Sequence, residues 1–317
     1  MSTKRVIAVL GATGAQGGGL VRAILNDPNS KFSVRAITRN PESDKAKELA
    51  QLGAEIVAAD VYNVESLINA FSGAYGAFLV SFHWEHFSAE REWQELKNMA
   101  SAAKQANVQH VVFSTLEDTR EFMELDDPRM PTLGGKYKVP HFDIKGQANK
   151  LFVDMKIPTT FLLTSFYWEN FITHGLGPQR DASGRLVFTL PMADKKLPSI
   201  AVEDIGKCAY GIFKAGEEYI GEKVGIVGEH LTGEQLAEAF SASFNEHVTY
   251  APFSHEAFRA LGFPGAADIG NMLQFKCEFN QEYVGARSVA LSRRLNPELQ
   301  TFTEWLSVQK KVTADVA

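Results

Sequence analysis

The sequence predicts an α/β protein, a doubly wound parallel sheet joined to a second, smaller mixed α/β lobe. Three observations carry this. Apolar strand-like runs alternate with amphipathic helix-like runs through the first half, the grammar of repeated β-α-β units. The first run, Arg5–Leu10, enters Gly11-Ala-Thr-Gly14-Ala-Gln-Gly17 and leads directly into apolar residues at helical spacing. The second half loses the alternation, so its elements belong to another lobe.

The elements follow in order. Strand 5–10, the glycine turn and a helix through Leu25 open the chain, and Phe32–Thr38 is the second strand. A helix over 46–52 leads to a third strand over 53–59 that ends at Asp60. A helix over 64–71 and a fourth strand over 76–81 follow, then a long amphipathic helix over 90–106 and a fifth strand over 109–114. Residues 117–140 are polar and rich in Gly, Pro and charge, which reads as a long flap. A helix over 141–155 and a sixth strand over 159–164 complete a Rossmann-type domain over 1–165. An aromatic loop, 165–170, opens the second lobe over 166–317, with a part near 188–210 returning to the first. Phe275 to Phe279, apolar at alternating positions, is expected to line the second-lobe side of the cleft.

The glycine turn points to a dinucleotide pyrophosphate. The first glycine permits the tight turn, the second close approach of backbone to phosphate, and the third close packing of helix on strand. The helix start adds free N–H groups and a positive dipole end. The hydroxyl of Thr13 is placed to reach a phosphate oxygen. No acidic residue occurs from Pro28 through Pro41, where an NAD site places one for the ribose 2′-hydroxyl. Arg39 stands at the strand end instead, suited to a 2′-phosphate, so NADP(H) is the expected cofactor; the bland alternative is a solvated loop cation.

Composition narrows the partners. Net charge is −6, which supplies no basic field for nucleic acid. Two cysteines, Cys208 and Cys277, lie far apart and form no C-x-x-C pair, as expected of a reducing compartment. No run of 18 apolar residues exists, so no membrane span is expected. The expectation is a soluble cytoplasmic protein, with the nucleus as a second compartment. His83-Trp-Glu-His86 carries metal-like residues without a third ligand at matched spacing, and is read as a loop over the nicotinamide with no metal.

These motifs resemble those of the NmrA-like family of atypical short-chain dehydrogenases/reductases. The residues that carry the likeness are Gly11 to Gly17, Thr38-Arg39, Asp60, His141-Phe-Asp-Ile-Lys-Gly146, Phe166-Tyr-Trp-Glu-Asn170, Val202-Glu-Asp-Ile-Gly206 and Leu261-Gly-Phe-Pro-Gly-Ala266, from about residue 4 to Trp305. The resemblance implies that Gly11, Thr13, Gly14, Ala15, Gln16, Gly17 and Arg39 hold the pyrophosphate and 2′-phosphate. It implies that Asp60 and Val61 lie near the adenine, and that Lys145 and the 164–170 loop, with Phe166, Tyr167 and Asn170, lie near the nicotinamide; Ser81, at the end of the fourth strand, is a further cofactor-binding candidate by position.

The standard chemistry of that superfamily uses Tyr-x-x-x-Lys on one helix face. Here the matching run is His141-Phe-Asp-Ile-Lys145, with Ser114 or Thr115 at the preceding strand end and Tyr137 at the wrong offset. Three readings stand. Either cofactor is bound without turnover, or Lys145 alone is the acid/base, or His141 is a general acid. The first implies a redox-sensing regulator whose cofactor-dependent shape is read by a protein partner, with the 117–140 flap as the moving part. The alternative is an NADPH-dependent reductase of a small carbonyl, quinone or aromatic substrate.

Overall fold

The computed structural model describes residues 4–313. Seven strands form the central sheet: β1 (Arg5–Leu10), β2 (Phe32–Thr38), β3 (Glu55–Ala58), β4 (Gly76–Leu79), β5 (His110–Thr115), β6 (Thr159–Leu163) and, from much later in the chain, Lys223–Gly225. The late strand lies at one edge beside β6, and the order continues β5-β4-β1-β2-β3, with every pairing parallel. The chain leaves β1 toward β2 and β3, then returns to the other side of β1 at β4. The crevice beyond the ends of β1 and β4 is therefore the switch point where such sheets bind ligands.

Alternation along β1 feeds two cores. Ile7 and Val9 pack on one face with α1 (Ala15–Leu25), and Ala8 and Leu10 on the other with Leu67, Leu96 and Met99. Helices α2 (Asp44–Gln51), α3 (Val64–Phe71), the one-turn α4 (His83–His86), α5 (Ala89–Gln105) and α6 (Pro140–Asp154) complete this lobe's first run. Ser43, Asn63 and Ser88 accept backbone N–H groups at the starts of α2, α3 and α5. No side chain caps α1, whose N-cap is Gly14. Its first N–H groups are left for something else.

The second lobe holds two three-stranded sheets. Phe166–Tyr167 (β7), Lys196–Ile200 (β10) and Glu229–Thr232 (β12) form one. Gln179–Arg180 (β8), Leu186–Phe188 (β9) and Val248–Tyr250 (β13) form the other; the late central strand is β11. Around them lie α7 (Asn170–Thr173), α9 (Gly233–Phe244), α10 (His255–Arg259), α11 (Ala266–Glu278), α12 (Asn280–Gly285) and α14 (Phe302–Thr313). A third core of Phe166, Trp168, Phe171, Phe188, Phe240 and Phe302 unites them.

Three expectations are corrected here. Of the 188–210 part expected to return to the first lobe, only Val202–Tyr210 does. Leu186–Phe188 and Lys196–Ile200 pair within the second lobe, while α8 (Val202–Ala215), β11 and α13 (Val289–Leu295) join the first. Apolar Ile205, Cys208, Ile212 and Leu295 fill the core under α1. The 165–170 segment is not an open loop, since Phe166 and Tyr167 pair with Ser199 and Ile200. Phe275 lies in a helix, buried against Phe122 and Phe142.

Candidate functional site

The turn after β1 has the form the glycines predict. Gly11 sits at φ +68°, a region that favours glycine, and a Cβ on Gly17 would lie 2.4 Å from the Gly11 carbonyl oxygen. Thr13 is half-buried in the turn, Gly14 and Ala15 are exposed, and Gln16 is half-buried. The Gln16 side-chain amide donates to the Tyr167 hydroxyl at 2.6 Å, and its Oε1 is buried without a partner. An uncapped helix start and a cradle no side chain can fill fit an anionic ligand, and the orphaned amide oxygen fits a hydroxyl or N–H donor on it. Val80 and Phe82 stand over Gly11.

Arg39 is exposed at the end of β2 and pairs with Glu85 of α4 at 2.8 Å. Asp60 closes the turn after β3 by accepting the Tyr62 N–H at 2.9 Å. Buried Val61 offers its carbonyl to the Asn98 amide at 2.8 Å. Asn170 begins α7 and is half-buried. The aromatic run divides by role. Tyr167 faces the glycine turn, whereas the Phe166 ring is buried in the second lobe's core beside Phe171, and Trp168 is fully buried with its Nε1 on Ser199. Burial pushes the Tyr167 phenol above its ordinary value.

The reactive part of the site is a buried chain of charges across the crevice. Lys145 Nζ is hydrogen-bonded and ion-paired to Glu92 Oε1, which also accepts from Ser81 Oγ at 2.6 Å. Glu92 Oε2 meets His83 Nδ1 at 2.7 Å. His83 Nε2 lies 3.2 Å from Asp268 Oδ2, and Asp268 Oδ1 lies 2.7 Å from His141 Nδ1. All six side chains are buried. The helix spacing of α6 sets His141 and Lys145 one turn apart, so both reach this chain.

Charge follows from the partners. Burial alone lowers the His83 pKa, but Asp268 and Glu92 outweigh it and raise it to about 9. Burial raises that of Glu92, and Lys145 and His83 outweigh it, bringing it to about 2. Asp268 is held well below the carboxylate range because its two histidines outweigh its burial. Burial lowers the His141 pKa, against the opposing pull of the Asp268 carboxylate. A charged His83 thus serves two carboxylates, and the Glu92 carboxylate serves the Lys145 ammonium.

Sequence reasoning brought Ser81, His141 and Lys145 to this place but missed Glu92 and Asp268 as members. Glu92 carried one legible signal, since it falls with Leu96 and Met99 on the apolar face of α5. Thr115 acts outside this chain. Its hydroxyl bonds the Lys145 carbonyl at 3.0 Å and Asn149 at 2.8 Å, fixing α6 to β5. His86 faces a different carboxylate from His83, Glu95 at 3.2 Å. Among the described residues, no group of three or more His, Cys, Asp or Glu is arranged to hold a metal ion. No helix among them is long and apolar enough to cross a membrane.

The 117–140 segment is fastened at several points. The Asp143 carboxylate accepts the backbone N–H groups of Thr119, Lys138 and Val139. Asn271 and Gln274 of α11 donate to the carbonyls of Pro131, Lys138 and Arg129, and Glu117 pairs with Arg287.

A parallel sheet with a glycine cradle at its switch point defines a dinucleotide-binding Rossmann protein with a two-lobed cleft. More specifically, the chain belongs to the NmrA-like family, whose model it matches over residues 3–306. It is 32% identical over 291 residues to the NmrA-like family domain-containing oxidoreductase FrzB of Cladobotryum sp, covering 85% of this chain and 83% of that protein. Its fold is similar to that of NmrA, a negative transcriptional regulator, in complex with NADP (TM-score 0.77, 21% identity, 98% of each chain). It is also similar to the Citrobacter sp. triphenylmethane reductase complexed with NADP(H) (TM-score 0.74, 22% identity, 96% of this chain and 99% of that one).

Proposed function

We propose that this protein is an NADPH-dependent oxidoreductase in which Lys145 handles the proton. The observation that carries this is the burial of Lys145 in the switch-point crevice with its ammonium fixed on Glu92. A buried lysine is costly unless paired, and this pair is backed by a charged histidine that ties in the second lobe. When bound, NADP(H) supplies or accepts the hydride. The backbone at Gly14 to Gly17 would hold its pyrophosphate and Arg39 its 2′-phosphate. Structures of NmrA with NADP and of triphenylmethane reductase with NADP(H), and the oxidoreductase name of FrzB, support this assignment.

Lys145 Nζ is the proton donor to a developing alkoxide or phenoxide oxygen. Glu92 keeps the ammonium in one place, and the buried walls exclude water that would compete for the proton. His141 is not the missing acid. Its Nδ1 is engaged by Asp268, and burial lowers its pKa. The test is NADPH oxidation against a panel of aldehydes, ketones and quinones, with turnover normalised to bound cofactor. Turnover lost in Lys145→Met and kept in His141→Phe is expected. A protein that binds NADPH and turns over nothing in the panel overturns the enzymatic reading.

One observation favours a second reading, a regulator whose shape depends on NADP(H) occupancy. Arg39 is joined through Glu85 to α4, and α4 through His83 to Asp268 on the second lobe. A 2′-phosphate that displaces Glu85 would act on the contact between lobes and so on a surface that a partner reads. Hydrogen exchange with and without NADPH tests this. Altered protection of 82–88 is expected, and identical exchange there removes the coupling.

A further inference from the structure

We propose that the groove between α4 and the 261–266 loop is the substrate subsite, and that it takes an uncharged aromatic carbonyl compound. The inference rests on the oxidoreductase reading and specifies its substrate class. The groove is open to solvent and has a volume of about 590 Å³, the size of pockets that hold small organic ligands. Its walls are Phe87, Leu133, Pro140, Phe263 and Pro264. Its polar floor is His83 and Asp268, two members of the chain that ends on Lys145.

The chemistry of the walls selects a neutral, flat molecule. Arg259 is the cation at the rim, and its guanidinium is already engaged by Gln274 at 2.7 Å, Glu256 at 3.1 Å and Asn271 at 3.2 Å. The charges of His83 and Asp268 compensate one another. No unengaged charge lines the groove to hold a carboxylate or phosphate, and burying one there would cost its hydration.

The aromatic side chains are held where folding does not reward them. Phe87 is 50% exposed, Trp84 45% and Phe263 37%, a cluster at the groove mouth that a soluble surface rarely presents without use. Phe87 also adopts φ +53°, a left-handed conformation that is strained for a bulky residue, fixed by its N–H on the His83 carbonyl at 2.7 Å. Gly265, opposite, sits at φ +87°, and a Cβ there would lie 3.1 Å from Trp84 and 3.2 Å from Phe87. Glycine keeps the opening between these rings.

The test is calorimetric titration of NADP⁺-loaded protein, which cannot turn over, with 2-acetylnaphthalene and with 6-acetyl-2-naphthoate, its carboxylated analogue. The neutral ketone is expected to bind at least tenfold more tightly than the acid. Phe87→Ala and Phe263→Ala are each expected to weaken the ketone about five- to tenfold, by loss of ring contact, without changing NADP⁺ affinity. Equal affinity for ketone and acid, ketone binding indifferent to both substitutions, or no ketone binding overturns the proposal. Failure of NADP⁺ to bind overturns the oxidoreductase reading instead, and the same titrations on the free protein then decide the groove by the same criteria.

Discussion

His83 Nε2 on α4 lies 3.2 Å from the Asp268 carboxylate on α11, and this pair joins the two lobes inside the crevice. His83 is raised to about 9 from an ordinary 6.5, so the folded state binds the extra proton. The stability this contributes is fully present below about pH 6.5 and is lost as pH rises through about 9. Glu92, lowered to about 2 from 4.5, contributes stability present above 4.5 and lost as pH falls through about 2. Asp268→Asn is expected to cost about 1.5–3 kcal/mol at pH 6, less than a fully stranded charge because His83 can shed its proton. His83→Gln is expected to flatten the alkaline fall between pH 6.5 and 9. Urea unfolding at pH 6, 7.5 and 9 checks both, and an unchanged alkaline slope in His83→Gln would refute the assignment.

Glu92 is predicted to position Lys145 rather than to react. Glu92→Gln keeps the shape and an acceptor for the ammonium but loses the charge. Turnover is expected to fall roughly tenfold to a hundredfold, within the range for disturbed acid–base catalysis, with KM for the carbonyl little changed. Lys145→Met is expected to remove turnover altogether. A Glu92→Gln variant with parent kcat and a parent pH profile would show that the ion pair is only structural.

Cofactor choice is predicted to be a contest for Arg39. Its pair with Glu85 is solvent-exposed, with side chains 63% and 45% accessible, so breaking it costs at most about 1 kcal/mol. A 2′-phosphate offers a stronger charge-assisted contact, about 1.5–3 kcal/mol. Net of that cost, Arg39→Ala is therefore expected to lose NADPH affinity by about twofold to a hundredfold with NADH affinity nearly unchanged. Glu85→Gln is expected to tighten NADPH up to about fivefold and leave NADH alone. Calorimetry with both cofactors decides it; equal shifts for the two would remove Arg39 from 2′-phosphate recognition.

What was legible in the sequence was local. The β1 strand, the glycine turn and α1 are specified by adjacent residues, and α3 begins at a capping Asn63 and ends at Phe71 as its pattern predicts. Pairing across distant segments was not legible. Phe166-Tyr167 is a strand only because Ser199 and Ile200 lie beside it, and the return of the chain to the first lobe depends on where β11 docks. The same limit applied to the site. His141 and Lys145 share a helix face and could be found by spacing, whereas Asp268 reaches them from a helix that begins at Ala266, with nothing in its local sequence to mark it. The His83–His86 segment was legible as unusual but not as a helix linking Arg39 to Asp268.

The last prediction concerns a lysine outside the reactive chain. Lys276 of α11 is 1% exposed, and its ammonium lies 5.1 Å from the Phe166 ring centroid, 5.2 Å from Tyr283 and 5.6 Å from Phe142. The rings stabilise a cation only partly. Burial, aided by repulsion from Arg287, lowers its pKa to about 7 from 10.5. The unfolded chain therefore binds more protons than the folded one between pH 7 and 10.5, and the stability of the parent protein relative to a variant without this amine rises through that window. Lys276→Met keeps a chain of similar length, removes the charge and is expected to stabilise by about 1–4 kcal/mol at pH 6. The gain should shrink as pH rises from 7 through 10.5, above which the parent amine is neutral in both states. Differences in unfolding free energy between the two proteins at pH 6, 8 and 10 isolate this group from His83, which titrates alike in both. A variant less stable than the parent at pH 6 would show that the aromatic cage outweighs desolvation.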